Sequence, residues 1–341
     1  MKKSIALLYV LLLTASASLA ADRTHSPFIY HVDDLGFFDN REVHSPYQFS
    51  GTYFGTRLGA EVGVKQQKNA VSIGYFAISD FGQKGLSDHG WTLYYRYADR
   101  HWSGAFGVLP RRLLQRELPD VFVDEALRYY TPNLGGALLQ YKARRGQAEL
   151  YCDWLSRQSM TDREIFEIVS DGDLRLAGDR WLSLSTGYNA RLTHFSVRKG
   201  KTTDKVYDKF MFNPYVTFKA RGSFIDSFSL TAGLMGSLNR DRTDKVWKTP
   251  MGFLGDVTVD KWRFELRNRL YAGQPLMSDY EKYGTLLHRG DPYYRSSFYD
   301  RVDATFSLLH GKNVDCHATA SFHFTEGAVD CSQQVHLTLQ F

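Results

Sequence analysis

His194 and Ser196 form the pair in this sequence that most directly suggests covalent chemistry. Two residues apart on a predicted strand, they share one face, because successive side chains of a strand point to opposite sides. A histidine next to a serine can take the hydroxyl proton and activate the oxygen as a nucleophile. Hydrolysis of a lipid is the chemistry that such a pair would perform on a lipid-facing strand.

The other parts of a catalytic arrangement are missing around this pair. The His-x-Ser spacing is similar to that of outer-membrane phospholipases, but the flanking residues do not match their wider motif. Asn213 is the nearest candidate to orient the histidine, and in the predicted register it lies on the opposite, lumen-facing side. The sequence therefore predicts that the protein is not an enzyme and has no catalytic residues, with a lipid- or lipopolysaccharide-modifying enzyme as an alternative. No motif for a metal or a cofactor is found, so neither is expected.

Charged residues on predicted strands are the second group that could carry function. In the segment 261–273, charged residues alternate with apolar ones. Unpaired burial of such charges would be costly, so they must pair with one another or contact water. We therefore predict an aqueous lumen whose charges set selectivity for small polar or charged solutes. The pore-lining candidates are Arg57, Glu61, Glu149, Asp153, Arg191, Asp256, Arg263, Glu265, Arg267, Arg269, Arg301 and Asp303.

The segment 110–133 is the candidate for a constriction of this lumen. It is too long and too amphipathic to be a simple turn. Folded inward, it would bring both charge signs into the lumen, whereas an exposed surface loop is the alternative. The constriction candidates are Arg111, Arg112, Arg116, Asp120, Asp124 and Glu125.

Composition limits the elements that position these residues. The chain has 341 residues, of which 43% are hydrophobic and 23% charged, which excludes a disordered chain and a helical membrane protein. Aromatic residues make up 15%, which favours β-strands. The net charge of +5 is spread along the chain and does not indicate nucleic-acid binding.

Period-two alternation of apolar and polar residues runs through the chain and is clearest near its end. There, Val335, Leu337 and Leu339 alternate with His336 and Thr338. Alternating segments of about ten residues separated by turns are typical of a transmembrane β-barrel. We predict an all-β antiparallel barrel of sixteen strands, with fourteen as the alternative. The predicted strands are 30–40, 51–64, 69–79, 90–98, 101–109, 134–144, 147–157, 164–176, 180–196, 207–220, 226–239, 249–259, 261–273, 295–310, 313–325 and 332–341.

Connection lengths between these segments indicate the orientation of the barrel. Every second connection is short, and the intervening ones are longer, as in barrels with periplasmic turns and extracellular loops. The N-terminus predicts export through a cleaved signal peptide over 1–20. Its features are the positive residues Lys2 and Lys3, the apolar run 5–13 and the cleavage site Ser18-Leu19-Ala20. Residues 21–341 are then predicted to form one barrel domain in a Gram-negative outer membrane.

Three motifs resemble those of a porin-like outer-membrane barrel family whose members are largely uncharacterised. They are residues 37–42 (FFDNRE), residues 53–63 (YFGTRLGAEVG) and residues 129–133 (YYTPN). The resemblance implies a channel for passive diffusion, with a surface receptor or polysaccharide-export barrel as a further alternative. Phe341 is similar to the C-terminal aromatic residue that the barrel-assembly machinery recognises, so it is the expected assembly signal. Other expected partners are outer-membrane lipids, lipopolysaccharide, small polar solutes and further copies of the chain, but no nucleic acid.

Overall fold

The computed structural model describes residues 27–243 and 245–341, and these residues form one large antiparallel sheet. The predicted signal peptide lies outside the described residues. The strands are β1 (Phe28–Glu42), β2 (Gly51–Gln66), β3 (Asn69–Asp80), β4 (Asp88–Ala98), β5 (Trp102–Pro110), β6 (Asn133–Lys142), β7 (Gly146–Ser156), β8 (Ile165–Gly178), β9 (Leu182–Phe195), β10 (Tyr207–Ala220), β11 (Ser227–Asp241), β12 (Trp247–Lys248), β13 (Met251–Lys261), β14 (Phe264–Gly273), β15 (Phe298–His310), β16 (Val314–Thr325) and β17 (Ala328–Gln340).

The sheet closes on itself because β1 pairs with both β2 and β17. At the seam, Val32 and Phe341 exchange two backbone hydrogen bonds, of 3.1 and 2.9 Å. Strand β12 has two residues and pairs only with β11, so sixteen strands form the wall. Closure leaves no unpaired strand edge within 27–243 and 245–341, which is the condition for crossing hydrocarbon with strands.

The predicted barrel of sixteen strands is therefore confirmed, and the alternative of fourteen is wrong. Each predicted strand overlaps an observed one, and 207–220 coincides with β10. Alternation sets the two faces of the wall, as in β10, where Lys209 and Met211 are buried inside while Phe210 is exposed outside. No helix in the described ranges is long and apolar enough to span a membrane.

Two long connections at the same end of the barrel fold into its lumen. The first, 111–132, contains a 3-10 turn (Arg111–Leu113) and helix α1 (Glu125–Tyr130); the second, 274–297, contains helix α2 (Tyr280–Tyr283) and 3-10 turns at Gly284–Leu286 and Pro292–Arg295. We call them the first and second lumen loops. They bind each other through two backbone hydrogen bonds, from the Asp124 amide to the Arg289 carbonyl (2.7 Å) and from the Asp291 amide to the Asp120 carbonyl (2.8 Å).

The lumen loops build the main apolar core inside the wall. Val121, Phe122 and Leu276 of the loops are fully buried against wall residues such as Met211 and Tyr271. Burial of these side chains removes apolar area from water, which holds the loops inside the barrel. Gly290 packs so closely on the Val121 carbonyl that a Cβ atom at this position would clash with it. The half of the lumen at the long-loop end is therefore a packed core rather than a wide opening.

Candidate functional site

His194 lies near the long-loop end of β9, on the outer face of the wall, as the sequence predicted. Asp208, the second residue of β10, lies directly opposite it in the antiparallel register. The His194 Nδ1 atom is 2.9 Å from the Asp208 Oδ1 atom. With its proton on Nδ1, the imidazole donates to the carboxylate and leaves Nε2 free to accept a proton. This is the histidine–carboxylate relationship of hydrolases with a serine nucleophile.

Arg242, which follows β11, holds the other side of the Asp208 carboxylate. Its Nε and NH2 atoms lie 2.6 and 3.0 Å from the two carboxylate oxygens. The Phe166 ring packs on the imidazole at a centroid distance of 4.9 Å. A guanidinium and a ring thus fix the carboxylate and the imidazole in place, and the histidine side chain is only 18% exposed.

Ser196 continues the outward face of β9 by one step beyond the strand. Its amide donates to the Glu164 carbonyl at 2.8 Å, which extends the β8–β9 ladder by one residue pair. Its carbonyl accepts from the Arg163 guanidinium at 2.8 Å, so the backbone is held from two sides. Since Ser196 follows His194 by two residues in the same ladder, the two side chains leave the wall on the same side.

The wall around this pair is apolar and faces lipid. Trp154, Ile168 and Phe210 are 49%, 39% and 37% exposed on the outer surface. Trp154 stacks on Phe166 at 5.1 Å, and Phe166 in turn contacts His194. A serine, a histidine and an aspartate thus lie on the outer face of the wall at its long-loop end, next to an exposed apolar surface.

The structure places Asn213 inside the barrel, where its side chain contacts Asn189 at 3.2 Å. The sequence analysis was right to exclude it as the partner of His194. Asp208 and Arg242 were missed. The sequence does show Asp208 as the first charged residue on the outward face of β10. Whether it lies opposite His194 depends on the register between β9 and β10, which the sequence does not fix.

The predicted pore-lining residues occupy the inner face of the wall with one exception. Arg263 lies exposed in the short turn between β13 and β14, because β13 ends at Lys261 and β14 begins at Phe264. Its guanidinium reaches the Leu308 carbonyl rather than the lumen. Its placement on the lumen wall is therefore corrected. The candidates that line the two large lumen cavities are Arg57, Glu61, Arg191, Asp256, Arg267, Arg269, Arg301 and Asp303. Glu149 and Asp153 are buried against the first lumen loop, and Glu265 lies half-buried near the short-turn end.

The predicted constriction loop is the first lumen loop, and its charges pair with the wall. Arg111 binds Asp153, Arg112 binds Glu61, and Arg116 binds Asp173. Among its acids, Asp120 binds Arg269 and Arg301, while Glu125 lies 3.5 Å from Arg301. Asp124 lies instead at the contact with the second lumen loop.

Two acids of the lumen loops have opposite electrostatic surroundings. Burial alone would raise the pKa of Asp120, but the Arg269, Arg301 and Arg128 guanidiniums outweigh it and hold that pKa well below its usual range. Burial and the neighbouring Asp124 charge raise the pKa of Asp291. The charged Asp120 carboxylate thus helps to hold the first lumen loop on the wall, whereas Asp124 and Asp291 are buried near each other where the two loops meet.

Two cavities remain around the lumen loops, with volumes of about 660 and 630 Å³. Both are lined by charges of either sign, and Arg116, Glu117 and Arg128 border both. The lumen is therefore polar and divided by the first lumen loop.

Comparison with known proteins gives a family and a fold. A family model described as lipid A 3'-O-deacylase-type matches residues 20–341. This family bears the name of an enzyme, so the expectation that the chain is not an enzyme is wrong. No curated protein sequence matches the chain.

Solved outer-membrane proteins share the fold. OprD of Pseudomonas aeruginosa is 10% identical with a TM-score of 0.55, and the alignment covers 92% of this chain and 94% of OprD. OprB of Pseudomonas putida is 8% identical with a TM-score of 0.55, with coverage of 92% and 94%. OmpF of Salmonella typhi is 11% identical with a TM-score of 0.50, with coverage of 92% and 97%. The chain thus shares the barrel fold of these outer-membrane proteins.

Proposed function

The chain belongs to the lipid A 3'-O-deacylase-type family, and we propose that it hydrolyses an ester-linked acyl chain of lipid A at His194, Asp208 and Ser196. The observation that carries this proposal is the 2.9 Å contact between His194 and Asp208 on the lipid-facing wall. A catalytic pair inside the lumen could not reach a membrane lipid. This pair lies at the extracellular end, where a lipid of the outer leaflet presents its ester groups.

The three side chains take the roles of a nucleophile, a base and an orienting acid. The Ser196 hydroxyl gives its proton to Nε2 of His194 while its oxygen attacks the ester carbonyl carbon. The imidazolium is stabilised by Asp208 and then protonates the departing sugar oxygen, which breaks the ester bond and leaves an acyl-serine. Water then attacks the acyl-serine, gives a proton to His194, and releases a fatty acid as the serine regains its proton.

The surroundings of the pair support a lipid substrate. Trp154, Ile168 and Phe210 provide an exposed apolar surface on which acyl chains can pack. The ester would approach sideways from the outer leaflet, so no acyl chain needs to enter the packed lumen. The family name supports lipid A as the substrate, and the exposed apolar wall supports access from the side of the barrel.

The test is hydrolysis by the purified, refolded mature chain in vesicles that contain lipid A, followed by mass spectrometry of released fatty acids. The Ser196→Ala and His194→Asn variants should release none above the background. The matched control is Ser170→Ala, since Ser170 lies on the same wall and contacts the Tyr188 hydroxyl at 2.9 Å. Hydrolysis by Ser196→Ala at the wild-type rate would overturn the role of the serine.

A second candidate function is passive diffusion of small polar or charged solutes. Two lumen cavities of about 660 and 630 Å³, lined by both charge signs, favour it. Single-channel conductance in a planar bilayer tests it. Stepwise, salt-dependent conductance would support a path past the lumen loops, whereas a folded barrel without conductance would show that the loops close it.

A further inference from the structure

Three neighbouring extracellular loops concentrate the positive charge of the barrel. The segments 157–164, 196–206 and 242–250 contain nine cationic and four anionic side chains, a net charge of +5. The other extracellular connections, 43–50, 81–87, 111–132, 274–297 and 326–327, contain eight of each sign and have no net charge. The excess lies above β8, β9, β10 and β11, which are the strands around His194.

Hydrogen bonds join these loops into one surface. The Lys199 amide donates to the Ser159 carbonyl at 2.8 Å, and the Gln158 side chain donates to the Val197 carbonyl at 2.9 Å. The Arg242 amide donates to the Val206 carbonyl at 3.0 Å. Charges on the three loops therefore act together rather than as separate flexible segments.

Several cations of this surface are already engaged. Arg163 and Arg198 both bind Asp204, and Arg242 binds Asp208. Lys205 pairs with Asp241, and Lys248 pairs with Asp279. These contacts fix the loop conformations and leave little charge for a ligand.

Four other cations have no such partner. Arg157, Lys199, Lys201 and Lys245 are exposed, and the described part of the chain provides no ion pair for any of them. Like charges on neighbouring loops joined by hydrogen bonds repel one another, and a bound anion would relieve this repulsion. Met160 and Trp247 are 63% and 54% exposed in the same loops, so the surface also offers apolar contacts at the membrane boundary.

We propose that Arg157, Lys199, Lys201 and Lys245 bind the phosphate groups of a lipid headgroup in the outer leaflet. This inference rests on the proposed function, because it names the headgroup that holds the scissile ester beside Ser196. Lysine and arginine are the usual phosphate ligands of proteins, and polybasic surfaces bind anionic lipids through them. The acyl chains of the bound lipid would then lie along Trp154 and Phe210, below the cations.

Binding is measured without turnover in the full-length His194→Asn protein in detergent micelles. The probes are lipid A, the same lipid after enzymatic removal of its phosphates, and inorganic phosphate. Replacing all four cations by glutamine should weaken lipid A binding by about 100- to 1,000-fold, since each charge near a membrane surface contributes about fivefold. It should not change binding of the dephosphorylated lipid.

A charge-matched control replaces four exposed cations of the short-turn end, Arg144, Arg145, Arg221 and Lys312, by glutamine. This control should bind lipid A as the parent does, and a variant with arginine at the three lysine positions should retain binding. Equal affinity for the two lipids, or equal loss in both glutamine variants, would overturn the proposal. Binding of inorganic phosphate as tight as that of lipid A would also overturn it and assign the site to a free anion.

The result is separable from the proposed function. Phosphate-dependent binding in a protein that never hydrolyses the lipid would remove the catalytic claim and leave this site. Hydrolysis that requires His194 but proceeds equally fast on lipid A and on the dephosphorylated lipid would support the catalytic claim and remove the phosphate site.

Discussion

Asp208 lies directly opposite His194 on the neighbouring strand, with its Oδ1 atom 2.9 Å from the Nδ1 atom of the imidazole, on the side of the wall that faces lipid. A carboxylate in this position holds the ring in one orientation and stabilises the imidazolium that forms during acyl transfer. The two strands provide the geometry, since cross-strand neighbours are within hydrogen-bonding reach of each other.

The first prediction concerns this carboxylate. Asp208→Asn should lower the rate of lipid A hydrolysis by about a hundredfold to ten-thousandfold, because the amide no longer stabilises the imidazolium. The rate of fatty-acid release in vesicles measures the effect. Asp315→Asn is the control, because Asp315 makes a similar contact with a histidine, 3.2 Å from His310, at the opposite end of the barrel. Equal rates for the two variants would argue against an orienting role of Asp208.

The second prediction concerns Ser196. If the serine is the nucleophile, a lipophilic phosphonate should label it covalently, since His194 increases the reactivity of its hydroxyl group. Tandem mass spectrometry of the labelled protein should place the adduct on Ser196, and His194→Asn should suppress it. Labelling of another serine, or of none while hydrolysis continues, would indicate that an activated water molecule attacks the ester.

Strand count and strand limits could be predicted because alternation and turn residues are local features of the sequence. The pairing of Asp208 with His194 could not. If the predicted strand ends 196 and 207 are placed opposite each other, His194 pairs with position 209. The structure pairs Phe195 with Tyr207 and therefore His194 with Asp208, a difference of one residue that the sequence does not fix. Asn213 was correctly assigned to the lumen because its position depends on the alternation within one strand only.

The contacts of the lumen loops could not be predicted from the sequence for a different reason. The length and charge of 110–133 indicated an inward fold, but the pairing of Asp120 with Arg269 joins residues 149 positions apart. The backbone bonds between Asp124 and Arg289 likewise depend on how two long loops meet inside the closed wall. Neither can be derived from periodicity, since the wall must first close to bring the partners together.

The third prediction tests the attachment of the first lumen loop. Asp120→Asn removes the carboxylate that compensates Arg269 and Arg301, and loss of one partner of a buried pair costs about 3 to 5 kcal/mol. The loop should leave the lumen part of the time, which increases single-channel conductance. Glu281→Gln, an acid of the second lumen loop at 84% exposure that borders neither cavity, should leave the conductance unchanged. Identical conductance of both variants would mean that Asp120 does not hold the loop.

The fourth prediction concerns pH. Burial and the Asp124 charge raise the pKa of Asp291, so the folded loops bind a proton more tightly than the unfolded chain does. The free energy of unfolding should therefore fall as the pH rises from about 4 through this raised pKa. Above that pKa, Asp291 carries a charge inside the folded barrel, which is unfavourable. Asp291→Asn should raise the thermal stability at about pH 8 and have little effect at about pH 4.

Thermal unfolding of the folded barrel at the two pH values measures this difference. Asp279→Asn is the matched control, because Asp279 lies in the same loop but is 33% exposed and pairs with Lys248. A gain in stability of the Asp291 variant that is equal at both pH values would contradict the predicted ionisation.

The central claim is tested most directly by mass spectrometry of lipid A from cells that produce the wild-type protein, His194→Asn or His310→Asn. His310 forms a similar contact with a carboxylate, 3.2 Å from Asp315, but lies at the short-turn end of the barrel. The account predicts lipid A that lacks one ester-linked acyl chain with the wild type and with His310→Asn, and intact lipid A with His194→Asn. Loss of the acyl chain in all three strains, or in none, would contradict hydrolysis at His194.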